Sequence, residues 1–189
     1  MKKILLAGVV GGLLMFIWSA VAWLALPLHT STIRSMANED SVISAMKSGM
    51  DRKSVYMFPA RPTSGDQAAT DAWKQKFERG PVGMVVYSPA GSSTIPEMVS
   101  EMAIGLLDSI LTAMLAAWLL SRSTAAKSGY FARVMFCGTL GIFICLAVHV
   151  ANWNWLMYPA DYTTAWIMDS LVGWVAGGMG IAWFVKSAA

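Results

Sequence analysis

Residues 134–155 read VMFCGTLGIFICLAVHVANWNW. The stretch holds no Asp, Glu, Lys or Arg, and its one ionisable ring is His149. As a helix rising 1.5 Å per residue it spans roughly 33 Å, enough to cross ~30 Å of hydrocarbon. Three further runs have the same character: Ile4–Leu26, Met98–Leu120 and Thr164–Val185. The whole chain of 189 residues is 56% hydrophobic and only 13% charged, whereas a soluble domain carries about 25% charged residues. The pattern therefore predicts an all-α membrane protein, a four-transmembrane-helix bundle with a small extracytoplasmic α+β cap between helices 1 and 2. The first span occupies 1–26, the cap 27–96, the second span 97–120, a link 121–133, the third span 134–156 and a turn 157–163. The fourth span and its tail take 164–189.

Charge supplies the expected orientation. Lys2 and Lys3 precede span one; Arg122, Lys127 and Arg133 lie between spans two and three; Lys186 follows span four. No acidic residue occurs in these segments, while the charges of 27–96 nearly cancel. The positive-inside rule then puts both termini and the 121–133 link in the cytoplasm of a bacterial-type inner membrane, with 27–96 outside. The net charge of +3 follows this partition and is no nucleic-acid signature. Ala20-Val21-Ala22 resembles a signal-peptidase site. The apolar run continues beyond it to Leu26, and Trp18 is bulky for such a site, so span one is expected to be retained.

Within 27–96, Asn38 is positioned to cap a helix over SVISAMKSGM, with Glu39 and Asp40 suited to its N-terminal dipole. SVYMFP reads as a strand ending at proline, and AATDAWKQKFERG as a helix pairing Trp73 with Phe77 and stopping at Gly80. PVGMVVYSPAG reads as a second strand. Two strands joined by a helical crossover can pair in parallel, but an isolated pair is marginal, so the cap is expected to rest on the bundle or a partner.

Each span carries a small or polar stripe at intervals of three and four. Span two has Glu97, Glu101, Gly105, Asp108 and Thr112; span three has Gly138, Gly141, Cys145, His149 and Asn152. Span four has Asp169, Gly173, Gly177 and Gly180, and span one has Gly8, Gly12, Met15 and Ser19. Small residues permit close helix approach in lipid, so Gly8 and Gly12 are expected to meet Gly173 and Gly177. Cys137 and Cys145, about 12 Å apart along a helix, are expected as unpaired structural thiols. Glu101, Asp108, His149, Asn152 and Asp169 form an expected intramembrane polar cluster, because an ionisable group facing lipid unpaired costs a few kcal/mol. His149 and Asp169 fall at similar depth, which predicts a contact between them.

The cluster admits several functions. A satisfied hydrogen-bond network that fixes helix register is the simplest. A proton or ion path is disfavoured by the apolar inner half of the bundle. His29 and His149 are a possible axial pair for haem, and Trp153, Trp155 and Trp166 a possible wall for a quinone or lipid, although an aromatic belt suits them better. P-loop, HExxH, GxSxG and CxxC patterns are absent, and no metal-ligand spacing occurs. The sequence therefore predicts a non-enzymatic accessory or scaffold subunit of a membrane assembly. Its partners would be the bilayer and a protein partner or a second copy. An outward-facing protein binding or transporting a small molecule, quinone, haem or ion is the alternative.

Overall fold

A computed structural model of the chain describes residues 1–90 and 95–186. The chain divides into two compact units, Met1–Arg34 with Ser93–Ala189, and Ser35–Ser92. The first unit is built from four helices long and apolar enough to cross a membrane: Lys2–Ala25, Glu97–Arg122, Tyr130–Trp155 and Ala160–Phe184.

Helix α1 (Lys2–Ala20) runs straight into a π-helical turn, Val21–Ala25. Helix α4 spans Ile95–Arg122. The third span is composite: α5 (Tyr130–Ile144), a π-helical stretch (Cys145–Val150), then α6 (Ala151–Trp155). Helix α7 spans Ala160–Phe184. It starts four residues before the expected Thr164, because Pro159 sets up the first turn and Asp161 suits its positive end.

Helix α1 lies against both α4 and α7, and α7 also packs along α5. Ala7, Ala113, Ala117, Leu120, Cys137 and Ile181 form the dry centre. They sit in the halves of the helices nearest the two termini, here called the terminal half. The opposite end, where the chain leaves α1 and where α6 turns into α7, is the loop end.

Glycine decides how close the helices come, though not in the expected pairing. Gly8 and Gly12 face α4: a Cβ on Gly12 would lie 2.5 Å from Ile110 Cα and 2.6 Å from its nitrogen. Gly11, one residue off the expected stripe, is the glycine that meets α7, and a Cβ on Gly177 would sit 3.1 Å from its carbonyl oxygen. Gly173 instead accommodates the Trp18 ring. Alpha-helical geometry explains the split. A helix sandwiched between two neighbours needs two small faces, and Gly8-xxx-Gly12 and Gly11 lie on different sides of α1. Cys137 and Cys145 are both free and buried.

Arg133 ties α5 to the end of α7. It is buried, and its Nε donates to the Ala182 carbonyl at 3.1 Å. The Tyr130 hydroxyl donates to Met179 O at 2.9 Å. A cation here also suits the negative C-terminal end of α7.

The second unit contains α2 (Glu39–Gly49), β1 (Ser54–Phe58), α3 (Gln67–Arg79) and β2 (Gly83–Tyr87). Its two strands pair antiparallel, Ser54 opposite Tyr87 and Phe58 opposite Gly83, rather than in the parallel arrangement that a helical crossover allows. The helix between them is followed by Gly80 at φ +66°, a left-handed conformation that suits glycine and turns the chain back. Asn38 makes no side-chain cap on α2, whereas Asp66 caps α3 by accepting from Ala68 N at 3.1 Å. Trp73 and Phe77 meet on α3 with centroids 5.4 Å apart.

Candidate functional site at the loop end

Sequence reasoning placed residues 27–34 in the inserted domain. They belong instead to the helical unit, and they bring His29 inside it. His29 is fully buried. Its carbonyl is held by the turn Thr30–Thr32, accepting from Thr32 N at 3.0 Å and from the Thr32 hydroxyl at 2.8 Å. Its Nε2 lies 2.9 Å from Asp169 Oδ2, so the imidazole N–H donates to the carboxyl group. The Trp23 ring stacks on it at 4.3 Å and 10°, and Trp166 closes the other approach at 4.7 Å.

Asp169 is therefore answered by His29. The expected His149–Asp169 bond is not made: His149 Nε2 pairs with Ser170 Oγ at 2.8 Å. The reason is angular. Asp169 and Ser170 are about 100° apart around α7, so the former faces α1 and the latter α5. Trp18 Nε1 also donates to the Asp169 carbonyl oxygen at 3.0 Å, which fixes that turn of α7 against α1.

Both π-helical turns flank this place. Trp23 lies in one and His149 in the other. A π turn inserts an extra residue per turn and re-aims the side chains that follow, and such turns cluster at functional sites. Around Trp166 they assemble both histidines of the chain: the His149 ring is 6.0 Å from Trp166, and Tyr162 packs edge-on to it at 6.2 Å. Beside His149 lies a cavity of about 200 Å³, walled by His149, Asn152, Tyr158, Tyr162, Thr163 and Trp166. Met157, next to Tyr158, adopts φ +58°, a left-handed conformation that costs a non-glycine residue about 1 kcal/mol and often marks functional turns.

The expected polar cluster is thus divided. His149, Asn152 and Asp169 belong to the loop-end site, with His29 added to it. Glu101 and Asp108 do not; both are exposed on α4. The face of α4 turned to its neighbours carries Ser109, Ala113, Ala116 and Leu120, some 80–140° around the helix from Asp108. Trp153 and Trp155 are also exposed, and of the three expected tryptophans only Trp166 lines the cavity.

Sequence reasoning missed Trp18, Trp23, Tyr158, Tyr162, Thr163 and Ser170. A signal existed, since Tyr162, Trp166 and Ser170 recur every four residues on α7, one step from Asp169. Chemically the site is a hydrogen-bonded aromatic cluster. Both histidine Nε2 atoms, the usual haem ligands, already bond Asp169 and Ser170, which does not fit a bis-histidine haem. Among the described residues no group of three or more His, Cys, Asp or Glu side chains is placed to hold a metal ion.

Fold and site together define a class: a four-helix chain of the multi-pass membrane type, with a histidine–aromatic cluster at one end. Comparison with family models, with curated proteins and with solved structures found no match.

Proposed function

We propose that this chain is a non-catalytic subunit of a membrane assembly, with α4 as the helix that joins it to a partner. One observation carries the reading. Asp108 stands near the middle of the span Glu97–Arg122, exposed, with no hydrogen bond or ion pair among the described residues. An aspartate at the centre of a lipid-facing helix costs about 2.5–3.5 kcal/mol. A neighbouring transmembrane segment offering Lys, Arg or an amide or hydroxyl donor at that depth would offset this. A second copy packed face to face would set Asp108 against Asp108, so a different chain fits better. The basic residues at the terminal end support an inner-membrane topology with both termini in the cytoplasm and Ser35–Ser92 outside.

The test is purification in mild detergent from the native membrane. The wild-type chain is expected to migrate in a larger complex, and Asp108→Leu to migrate alone while still folded. If the wild-type chain runs as a lone monomer and brings nothing with it, the accessory reading fails. A second reading, small-molecule binding, is favoured specifically by the cavity beside His149.

A further inference from the structure

Helix α4 carries a second pattern on the face it turns away from its neighbours. Glu101, Asp108 and Leu115 recur every seven residues, and Ile104, Leu111 and Trp118 follow three residues after each. All six are exposed, Ile104 at 64% and Leu115 at 57%. At helical spacing they fall within roughly 100° of arc. The buried Ala113, Ala116 and Leu120 lie across the helix from them. Spacing that alternates three and four along one face is the seam of a left-handed contact between two helices. Here the seam is uncovered among the described residues, and Asp108 sits in it.

The charges on the seam select what covers it. Asp108 lies near the middle of the span Glu97–Arg122, and Glu101 one heptad, roughly 10 Å, nearer the loop end. Neither makes a hydrogen bond or ion pair among the described residues. A lipid headgroup does not reach Asp108, which is roughly 16 Å or more along the axis from either end of the span. No group of three or more His, Cys, Asp or Glu side chains among the described residues is placed to hold a metal ion there. A second copy shares the same topology, so a two-fold pair would bring each acid to its own kind at the same depth. We propose that the α4 seam takes one transmembrane helix of another chain, carrying two Lys or Arg residues seven apart. One cation meets Asp108 at mid-span and the other meets Glu101. The spacing is the same whether that helix runs parallel or antiparallel to α4. Pairing removes the cost that each charge has in lipid alone, while Ile104, Leu111, Leu115 and Trp118 supply the apolar contact. The inference rests on the reading of α4 as the joining helix, and adds the charge and register of what it joins.

The experiment reconstitutes the full chain in phosphatidylcholine vesicles with a synthetic leucine–alanine helix of span length. The helix carries two lysines seven apart and a dansyl group, and energy transfer from the chain's tryptophans reads binding. Saturable transfer is expected. Asp108→Leu should weaken it roughly tenfold or more, the worth of one charged hydrogen bond. That variant should melt no lower than wild type, because the side chain it replaces is exposed and bonds nothing. Glu101→Leu, nearer the end of the span, should weaken binding less. Asp108→Lys should lose the two-lysine helix and bind instead a helix with one aspartate at that depth. A helix with its lysines five apart, and so on opposite sides, should bind no better than one with a single lysine. Transfer that is equal for a helix without lysine, or unchanged by Asp108→Leu, overturns the proposal. So does transfer between labelled copies of the chain that Asp108→Leu abolishes, which would make the occupant a second copy. The accessory reading is judged separately, by the native complex. A complex that persists while the two-lysine helix fails to bind overturns the seam alone. A chain that runs alone in the native extract yet binds that helix supports the seam and counts against the accessory reading.

Discussion

The bond between His29 and Asp169 carries the sharpest expectation about stability. His29 is wholly buried and Asp169 nearly so, and the bond between them is 2.9 Å. His29 Nδ1 already has no partner among the described residues. Asp169→Leu therefore leaves a buried imidazole with neither nitrogen bonded. Stranding a buried polar group costs about 1–3 kcal/mol, and breaking a buried ionic pair about 3–5 kcal/mol, which centres the expectation near 3 kcal/mol. His29→Phe keeps a ring to stack on Trp23 but strands the carboxyl group, with a similar loss. Replacing both partners removes both unpaired groups at once, so the double variant should lose only about 1 kcal/mol. The double is thus expected to be more stable than either single, a non-additivity of several kcal/mol. For a chain of this size 1 kcal/mol moves Tm by about 2–4 °C. Each single should then melt roughly 6–12 °C below wild type, and the double roughly 2–4 °C below. Thermal unfolding in detergent, followed by tryptophan fluorescence, reads all four proteins. The Trp18 bond to the Asp169 carbonyl is a backbone contact, so it survives these changes and does not confuse the cycle. Additive losses, or a double variant less stable than both singles, would refute the pairing as the reason these two residues are buried.

Three other outcomes are expected. Gly12→Ala should cost about 1–3 kcal/mol in unfolding titrations, because its Cβ meets the Ile110 backbone. Gly8→Ala should cost a similar amount, because its Cβ would clash with Met114 Cγ and lie 2.9 Å from Met114 Cβ and 3.0 Å from its Cα. Arg133→Met leaves the Ala182 carbonyl without its donor and should destabilise by about 1–3 kcal/mol; Arg133→Lys should not restore the native fork of contacts. Asp71 is held below its usual 3.8, first by the Gln67 amide and then by Lys74. A depressed carboxylate contributes above its unfolded value and loses that contribution as pH falls through the folded one. Carboxyl NMR should therefore give an Asp71 midpoint below 3.8 that rises in Gln67→Ala; a midpoint unmoved by that change would refute the assignment.

What the sequence made legible was set by periodicity. Four apolar runs of membrane length declare themselves by composition, and the helices follow them closely. The depth of His149 and Asp169 was legible too, because depth is a linear coordinate along a helix. Azimuth was not. Whether Gly11 or Gly12 meets α7, and whether Asp169 turns to α1 or α5, depends on rotations of 100° per residue. Those rotations are decided by packing against neighbours. The two π-helical turns compound this, since an inserted residue shifts every later face and leaves no reliable mark in the sequence. His29 was hidden for another reason. It lies past the apolar run, in a segment that reads as loop, and only the fold-back over α7 buries it.

The division of Glu101 and Asp108 from the histidines has a consequence for how the bundle is built. In the terminal half, glycine and alanine bring α1, α4 and α7 into close contact, and Arg133 and Tyr130 bond α5 to the Ala182 and Met179 carbonyls of α7. Toward the loop end, α7 is held to α1 by Trp18 and His29, and to α5 by His149. The contact of α7 with α1 is therefore made by glycine close packing in the terminal half and by directional hydrogen bonds toward the loop end. Close packing tolerates small sliding, whereas a 2.9 Å bond to one carboxyl oxygen does not. The loop-end bonds thus fix the turn of α7 that carries Tyr162, Thr163 and Trp166 around the cavity. On this argument the His29–Asp169 bond is a positioning device for the cavity wall. Its loss should let that wall shift even in variants that remain folded, read as a change in the Trp166 environment by tryptophan fluorescence.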